Sequence, residues 1–473
     1  MFDTVNKISV HASHNALAPA ICSAGGFVTY HELADKIARI SNFLSDRKVP
    51  RKSKVVLNIK DENVFYATAL ACFHYGITPF LSGDIARVVE DGSFDYVIGF
   101  TQPIEPSLKP DLTIDLSVLE GRLGDGTLRD FEKLEPDDLF LIGSTTGTTG
   151  DRKLIAQTVG YTQAVYSGRR ARDWFVGRVM VTLGALSYYG FNSACAAFDA
   201  GSTFVRSAKE ALHNLKLING YQVNSLLTTP NTLQVLLNYM EENNIATPDL
   251  KTVRLTGSLF SPELVRRARR AMDVEMTVGY GTTEYGGISS GTIPEEEDFT
   301  GYVGRVRETV KFSEESINSA DFTKLVIDNS DGMAKSYYEK GQILPQSDRY
   351  ELPDIGVIRD GILYLAGRAD EVFNWGGNKV SFARIEAEIA QHPDVSDVGV
   401  VGGAVIGNPK IILIGVVAGE EYNFDVMQET ALQKLNLHKA GEGIVMKRVE
   451  YIPRNDMEKI DRPSLASLVT GNM

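Results

Sequence analysis

A run of hydroxyl residues and glycines follows an apolar segment that has the pattern of a buried strand. The apolar segment is 139–142, and the run extends from Ser144 to Lys153. Glycines let the backbone turn and approach a ligand closely, hydroxyls and bare amides donate hydrogen bonds to phosphoryl oxygens, and a lysine adds a point charge. The run therefore predicts a phosphate-binding loop after a strand, with these candidate ligands: Ser144, Thr145, Thr146, Gly147, Thr148, Thr149, Gly150 and Lys153.

The run does not have the Walker A spacing G-x-x-x-x-G-K-[ST]. Asp151 and Arg152 separate Gly150 from Lys153, so the geometry of the P-loop nucleoside triphosphatases is excluded. Taken alone, the run also fits a flexible polar turn between two strands.

Strand and helix patterns alternate along the chain, which is typical of layered α/β folds with parallel strands and crossover helices. The segment 28–30 predicts a strand, and the spacing of Leu33, Ile37, Ile40 and Leu44 predicts an amphipathic helix after it. Further strands are predicted at 55–59, 95–100, 112–116, 179–183, 203–205, 225–228 and 253–256, and further helices at 64–75, 232–242 and 262–272.

The pattern changes in the last third of the chain. Between 303 and 364 the predicted strands are shorter and separated by many turns. Beyond Asp370, helices are predicted at 382–391 and 425–435, and strands at 395–401, 411–418 and 447–452. These elements predict a small separate α/β domain at the C-terminal end.

Length, charge and cysteine content narrow the class of protein. A chain of 473 residues exceeds what one hydrophobic core supports, so at least two domains are expected. The net charge of −13 disfavours a nucleic-acid partner. Cys22, Cys72 and Cys195 are far apart, which predicts buried thiols in a reducing compartment. The segment 1–10 is charged and has no apolar stretch, so we expect a cytoplasmic protein without a membrane span.

Further motifs follow the predicted phosphate loop in a defined order. They are Gly279–Glu284 (GYGTTE), Pro353–Gly356 (PDIG), Gly367–Asp370 (GRAD), Gly376–Val380 (GGNKV) and Pro453–Arg462. In this order the motifs resemble those of the adenylate-forming superfamily, which contains acyl- and aryl-CoA synthetases, adenylation domains of nonribosomal peptide synthetases, and luciferases. The resemblance extends from Ser144 to Arg462.

The resemblance implies a particular domain organisation. The fold would be α/β, with a large N-terminal portion of several subdomains at 1–369 that binds ATP and the acid. One of these subdomains, across 303–364, would be barrel-like. A small mobile C-terminal cap would occupy 370–473, and Asp370 would be the hinge at which the cap moves between adenylation and thioester formation.

The resemblance also implies the chemistry of acid activation by ATP. Lys153 and the loop hydroxyls would bind the β- and γ-phosphates. Thr283 would contact the α-phosphate, and Glu284 would bind Mg²⁺, which prefers oxygen ligands. Lys459 would stabilise the charge that develops between the carboxylate and the α-phosphate.

The nucleoside is assigned to three other residues by the same resemblance. The ring of Tyr280 would lie near the adenine. Asp354 would accept hydrogen bonds from both ribose hydroxyls, and Arg368 would also contact the ribose.

The acid and thiol sites are implied with less detail. The acid would be bound by residues from two segments and from the later motif Gly279–Glu284: Ser187, Tyr188, Tyr189, Asn192, Gly257, Ser258 and Gly281. No acidic residue lies between Leu183 and Ala197, so an α-amino acid is disfavoured as the substrate. The tunnel for a pantetheine thiol would be lined by Trp375, Gly376 and Gly377.

Three positions depart from the pattern of the superfamily. Arg152 replaces a proline, and Pro353 and Glu458 each replace a glycine. The leading hypothesis is a ligase that makes an acyl- or aryl-AMP from a small carboxylic acid and transfers the acyl group to coenzyme A. The alternatives are a free-standing adenylation enzyme that loads the phosphopantetheine arm of a carrier protein, and a catalytically degenerate nucleotide-binding homologue.

Overall fold

The protein is represented by a computed structural model. The structure describes residues 4–82, 85–120, 126–144, 153–167, 173–295, 299–329, 335–375, 378–390, 392, 394–402, 411–419, 423–424, 426, 429, 443–454 and 460–471.

The helices of the described residues are, in chain order, α1 (Thr4–His14), α2 (Tyr30–Asp46), α3 (Glu62–Tyr75), α4 (Ile85–Asp91), α5 (Leu116–Leu119), α6 (Val159–Ser167), α7 (Tyr188–Asp199), α8 (Ala211–Gly220), α9 (Pro230–Asn243), α10 (Pro262–Met272), α11 (Glu314–Ile317), α12 (Phe382–Ile389) and α13 (Arg462–Thr470). Single 3₁₀ turns lie at Asp173–Phe175 and Ala369–Glu371.

The strands are β1 (Pro19–Ser23), β2 (Gly26–Thr29), β3 (Lys54–Asn58), β4 (Thr78–Leu81), β5 (Tyr96–Gly99), β6 (Leu112–Thr113), β7 (Leu139–Ser144), β8 (Leu154–Thr158), β9 (Arg178–Val181), β10 (Thr203–Arg206), β11 (Ser225–Thr228), β12 (Thr252–Leu255), β13 (Glu275–Thr282), β14 (Gly286–Thr292), β15 (Tyr302–Val306), β16 (Thr323–Asp328), β17 (Ser336–Glu339), β18 (Gln342–Leu344), β19 (Arg349–Arg359), β20 (Ile362–Arg368), β21 (Val372–Trp375), β22 (Asn378–Ser381), β23 (Val395–Gly402), β24 (Ile412–Ala418) and β25 (Ile444–Arg448).

The predicted α/β alternation is confirmed, and local sequence signals explain where the helices begin and end. Thr29 caps α2 through a capping box with Glu32, which satisfies backbone N–H groups that have no partner inside the helix. The α2 face predicted to be apolar is fully buried. Helix α3 ends at Gly76, whose φ of 93° places it in the left-handed region that favours glycine.

The chain divides into two compact units. The first unit contains Met1–Leu227, Thr283–Tyr285 and Gly332–Gln346. The second contains Thr228–Thr282, Gly286–Asp331 and Ser347–Met473.

The first unit contains two groups of paired strands. The first group has the order β18-β17-β8-β7-β4-β3-β5-β6, with parallel pairing from β7 to β6 and antiparallel pairing from β18 to β7. The second group has the order β11-β9-β10-β1-β2 and is parallel except for the pair β1–β2. Helices α1, α2, α3 and α7 supply side chains to one large hydrophobic core. The prediction of parallel strands with crossover helices therefore holds here.

In the second unit, hydrogen-bonded neighbouring strands follow the order β16-β19-β20-β15-β14-β13-β12. Their neighbours are antiparallel except for β12 and β13. Helices α9 and α10 precede β12 and β13 in the chain, as the predicted strand and helix pattern required.

Two contacts show that this sheet curls back on itself. In a flat sheet with strands about 4.8 Å apart, β13 and β19 would be about 19 Å from each other. The Tyr280 hydroxyl of β13 nevertheless lies 2.6 Å from Asp354 of β19, and the Thr282 hydroxyl lies 3.0 Å from that of Tyr350. This curvature agrees with the barrel-like subdomain expected for this part of the chain.

The C-terminal part of the second unit has its own sheet, β23-β24-β25, with core side chains from α12 and α13. The strand predicted at 447–452 is corrected to Ile444–Arg448, which pairs in parallel with β24. Beyond this ladder, Val449 and Ile452 are buried against α13, which explains the apolar pattern that suggested a later strand. The helix predicted at 425–435 lies largely outside the described residues.

Across the described part of the chain, every helix is too short or too polar to traverse a bilayer.

Candidate active site

Three residues predicted to contact the nucleoside lie together in the second unit. Tyr280, near the end of β13, donates a hydrogen bond from its hydroxyl to Oδ2 of Asp354 on β19, at 2.6 Å. Asp354 lies opposite Arg368 of β20 in the antiparallel ladder. The motifs that carry these residues are far apart in sequence, and the curled sheet brings them together. The hydrogen bond between Tyr280 and Asp354 was not predicted from the sequence.

The charges in this group determine which atoms donate and which accept. Burial and the charge of Asp354 raise the pKa of Tyr280 well above its usual value, so the phenol stays protonated and donates. Burial acts to lower the pKa of Arg368, but its bond to Asp370 and the nearby carboxylates raise the pKa overall. A carboxylate has about four acceptor sites, so one phenol donor does not exhaust Asp354.

Pro353, which replaces a glycine of the superfamily motif, lies in an irregular stretch of β19. The ladder between β16 and β19 shifts register between Lys324 and Val326, where one residue of β16 faces three residues of β19, Leu352 to Asp354. Proline has no N–H to pair and is accommodated at bulges, which also turn a side chain towards a new direction. The strand therefore accommodates Pro353, and Asp354 lies at the bulge.

The turn Thr283–Tyr285, which carries the predicted α-phosphate and Mg²⁺ ligands, belongs to the first unit. Lys335 donates hydrogen bonds from Nζ to the carbonyl oxygen of Thr283 and from its backbone N–H to that of Glu284, the latter at 2.7 Å. The hydroxyl of Tyr161 donates to the carbonyl oxygen of Tyr285 at 2.8 Å. Each of the three consecutive carbonyl oxygens is therefore bound by Lys335 or Tyr161.

The predicted phosphate loop is described at its two ends. Ser144 ends β7, and its hydroxyl accepts a hydrogen bond from Ser82 at 3.0 Å. Lys153 is exposed, and its Nζ lies 4.9 Å from the ring centroid of Tyr337 on β17. Burial and the negative charge of Glu284 both raise the pKa of Tyr337. The other predicted loop ligands lie outside the described residues: Thr145, Thr146, Gly147, Thr148, Thr149 and Gly150.

The first segment predicted to bind the acid begins helix α7. Ser187 caps this helix, because its hydroxyl accepts a hydrogen bond from the backbone N–H three residues later at 3.0 Å. Tyr188 is half-buried, and its ring centroid lies 3.6 Å from Nζ of Lys335. Tyr189 is half-buried against the core of the first unit, and Asn192 is buried.

The second segment predicted to bind the acid lies in the second unit. Gly257 has a φ of +90°, which explains the glycine, and Ser258 beside it is exposed. A Cβ atom at Gly281 would lie 2.3 Å from the carbonyl oxygen of Gly286. Close approach of β13 and β14 therefore requires glycine at 281.

The predicted hinge residue, Asp370, and its neighbour Glu371 each pair with an arginine. Arg368 donates to both oxygens of Asp370, at 2.8 and 3.0 Å. The next residue, Glu371, accepts two hydrogen bonds from Arg462 of α13, each at 2.7 Å. The two consecutive carboxylates are thus bound by arginines from different parts of the chain.

The remaining predicted residues are only partly described. Trp375 ends β21 opposite Asn378 of β22, and Gly376 and Gly377 lie outside the described residues. Lys459 also lies outside them. The chain that flanks Lys459 is paired, because Arg454 and Ile460 form an antiparallel bridge.

The structure adds three residues to the surroundings of the candidate site: Lys335, Tyr161 and Tyr337. Lys335 directly precedes the strand β17 and is 3% exposed. A lysine two residues before a pair of tyrosines is the one sequence signal that would have drawn attention to this segment. The contacts of these residues with the turn Thr283–Tyr285 cannot be predicted from local sequence patterns.

The chain is similar to known proteins over most of its length. Residues 8–312 match the family described as AMP-binding enzyme. The chain is 23% identical over 491 residues to 4-chlorobenzoate–CoA ligase of an Arthrobacter species, with 97% of this chain and 93% of that protein covered.

Solved structures show the same fold. O-succinylbenzoate coenzyme A synthetase (MenE) from Bacillus subtilis, in complex with ATP and a magnesium ion, has a TM-score of 0.77 at 20% identity, covering 98% of this chain and 99% of that one. McyG A-PCP complexed with phenylalanyl-adenylate has a TM-score of 0.74 at 16% identity, covering 98% and 82%. The resemblance to the adenylate-forming superfamily and the α/β fold class are thereby confirmed.

Proposed function

The chain belongs to the AMP-binding enzyme family, and on that premise we propose that it activates a carboxylic acid with ATP and transfers the acyl group to the thiol of coenzyme A. In the first step a carboxylate oxygen attacks the α-phosphorus, the bond to the bridging oxygen breaks, and pyrophosphate leaves with that electron pair. In the second step the thiol, as its proton departs, attacks the acyl carbon of the acyl-AMP, and AMP leaves.

The observation that carries this proposal is the position of Asp354 between Tyr280 and Arg368. A carboxylate flanked by a phenol and a guanidinium offers acceptors for ribose hydroxyls and an aromatic ring beside them. Because the pKa of Tyr280 is raised by burial and by Asp354, the phenol donates to the carboxylate and fixes its orientation. We expect this group to bind the adenosine of ATP.

The turn that contains Thr283 and Glu284 would bind the α-phosphate and Mg²⁺. The negative charge of Glu284 acts on Tyr337, and a carboxylate of this kind is a suitable ligand for Mg²⁺. When bound, Mg²⁺ neutralises charge on the phosphates. Lys153 would add a positive charge for the leaving pyrophosphate, and the Thr283 hydroxyl would donate to the α-phosphate.

Adenylation would also need Lys459, brought to the α-phosphate by the C-terminal residues 370–473. Its ammonium group would stabilise charge between the attacking carboxylate and the phosphate. Arg454 and Ile460, which border the segment that contains Lys459, form an antiparallel bridge.

The leading proposal and the second candidate differ in the thiol that accepts the acyl group, which belongs to coenzyme A in the first and to a carrier protein in the second. The similarity to a CoA ligase over 97% of the chain favours coenzyme A. The similarity to McyG A-PCP favours a carrier protein as the second candidate. The acid itself would be an aromatic or medium-chain acid without an α-ammonium group, because no acidic residue accompanies Tyr188 and Tyr189 in their segment.

The proposal is tested with a panel of acids, ATP and Mg²⁺ in the presence of hydroxylamine, which traps acyl-AMP as a hydroxamate. We expect hydroxamate and pyrophosphate from at least one aryl or medium-chain acid and none from α-amino acids. With the active acid, coenzyme A or a holo carrier protein is then added, and thioester formation identifies the acceptor.

Two outcomes would contradict the proposal. Hydroxamate formation from α-amino acids would overturn the assignment of the acid. Binding of ATP without hydroxamate from any acid would favour the catalytically degenerate homologue instead.

A further inference from the structure

We propose that Lys335 is a positioning residue that holds the turn Thr283–Tyr285 and couples it to Tyr188 of the candidate acid site. This inference rests on the proposed function of Thr283 and Glu284 as ligands of the α-phosphate and Mg²⁺. Lys335 itself would not touch the nucleotide.

Two separate groups of Lys335 bind the turn. The ammonium donates to the carbonyl oxygen of Thr283, and the backbone N–H donates to that of Glu284. The backbone of Lys335 is fixed on its other side, because its carbonyl oxygen accepts a hydrogen bond from Nε2 of Gln346 at 2.8 Å. A residue held at both backbone groups is a firm support for the turn.

The side chain of Lys335 is buried, which is rare for a lysine. Lysines are almost never fully buried unless they are paired, and Lys335 is 3% exposed. Its Nζ lies 3.6 Å from the ring centroid of Tyr188 and 5.3 Å from that of Tyr161. Aromatic faces attract a desolvated cation, so the two rings offset part of the cost of burying the charge.

The same two tyrosines connect the ammonium to different parts of the first unit. Tyr161 donates its own hydroxyl to the carbonyl oxygen of Tyr285, the third residue of the turn. Tyr188 lies in the first turn of α7, beside the cap residue Ser187. Lys335 therefore contacts both the turn and the segment predicted to bind the acid.

This arrangement has a consequence for catalysis. Groups that bind a transition state must keep their positions, and a displacement of about 1 Å lowers the rate about 10²-fold. With the carbonyl oxygens of Thr283 and Glu284 fixed, their side chains have fewer orientations available. We expect that loss of the ammonium lets the turn move and slows adenylation, while thioester formation from acyl-AMP, which needs no pyrophosphate release, is preserved.

The test uses Lys335→Met in the full-length protein, because methionine keeps an apolar stem of similar length and removes the charge. With the acid identified by the hydroxamate panel, we expect kcat for adenylation to fall about 10- to 100-fold with a change in KM for the acid of less than about threefold. Thioester formation from supplied acyl-AMP should stay within about threefold of the parent protein.

A binding measurement keeps the test independent of catalysis. Calorimetry of Lys335→Met should show a larger loss of affinity for ATP with Mg²⁺ than for AMP, because AMP lacks the β- and γ-phosphates and would contact only Thr283 of the turn. If the parent protein binds ATP with Mg²⁺ but adenylates no acid, the proposed function fails while this arm still tests Lys335. If the parent protein does not bind ATP with Mg²⁺, both proposals fail.

Two further variants serve as controls. Lys340→Met makes the same change at an exposed lysine five residues along the same hairpin, and it should leave both half-reactions unchanged. Tyr161→Phe keeps the aromatic ring beside Lys335 and removes the hydrogen bond to Tyr285, so a smaller defect confined to adenylation is expected.

Either of two results would overturn the proposal. One is adenylation by Lys335→Met at the rate of the parent protein. The other is an equal loss in both half-reactions together with an equal loss of affinity for AMP and for ATP with Mg²⁺ and a lower melting temperature, which would assign Lys335 a purely structural role.

Discussion

Arg462 forms a buried ionic group in the C-terminal part of the second unit, and its loss should destabilise this part strongly. Its guanidinium donates to both oxygens of Glu371 at 2.7 Å, to Glu386 at 2.9 Å, and to the carbonyl oxygen of Val400. The side chains of Arg462 and Glu371 are 11% and 9% exposed. Burial acts to lower the pKa of Arg462, but Glu386 and Glu371 raise it overall, so the group stays charged.

The magnitude follows from the two carboxylates that would remain. Arg462→Met keeps an apolar stem but leaves the buried Glu371 and the half-buried Glu386 without their counter-charge. Removing one partner of a buried pair costs about 3–5 kcal/mol. At about 1.4 kcal/mol for each factor of ten, this corresponds to about two to three and a half powers of ten in the local opening equilibrium.

Hydrogen exchange of the amides in β23 and β24 measures this opening directly. We expect these amides to exchange faster in Arg462→Met by about two to three and a half powers of ten, as long as opening of the C-terminal part limits exchange. Amides in β3 and β4 of the first unit should exchange as in the parent protein.

Two comparisons make the result interpretable. Arg454→Met removes a more exposed pair with Asp397, at 17% and 26% exposure, and should cost less than Arg462→Met because water screens this pair better. Replacing Arg462, Glu371 and Glu386 together by methionine and two glutamines removes all three charges and should recover most of the stability. An effect of Arg462→Met no larger than that of Arg454→Met would refute this reasoning.

Three other perturbations have defined expectations. Asp354→Asn should raise the KM for ATP about 10- to 100-fold, because a charged hydrogen-bond acceptor is lost. The KM is measured from the rate of pyrophosphate release. The same change at exposed Asp360 should have no effect, because Asp360 lies in a turn with a φ of 51° that asparagine tolerates. Lys459→Ala should abolish adenylation but preserve thioester formation from supplied acyl-AMP, and equal loss in both would contradict the assigned role. Burial raises the pKa of Cys22 to about 11, so only about one thiol in a thousand is ionised at pH 8. The three buried cysteines should therefore resist thiol reagents until the protein unfolds, and labelling that is equally fast without denaturant would contradict this.

Much of the fold could be predicted from the sequence, because periodicity and helix-terminal signals are local. The apolar spacing from Leu33 to Leu44 and the glycine at 76 correctly predicted α2 and the end of α3. The strand β25 was predicted three residues late, because Val449 and Ile452 are apolar for packing against α13 and not for pairing in a sheet.

The candidate site was predicted unevenly for a similar reason. Motif order predicted that Tyr280 and Asp354 belong to one nucleotide site, but it did not predict the hydrogen bond that joins them. The bulge that accommodates Pro353 could not be predicted from the sequence either, because it depends on the register of β19 against β16. Both features arise from sheet curvature and pairing, which no short segment of the chain encodes.

The sequence by itself determined the order of strands and helices, the phosphate-loop composition, and the superfamily to which the chain belongs, because these are properties of neighbouring residues. Only the tertiary structure decided what Lys335 and Arg462 do. Lys335 meets Thr283 across 52 residues, and Arg462 meets Glu371 across 91. Burial selects such partners, because a charge removed from water is stable only where folding supplies acceptors or opposite charges around it.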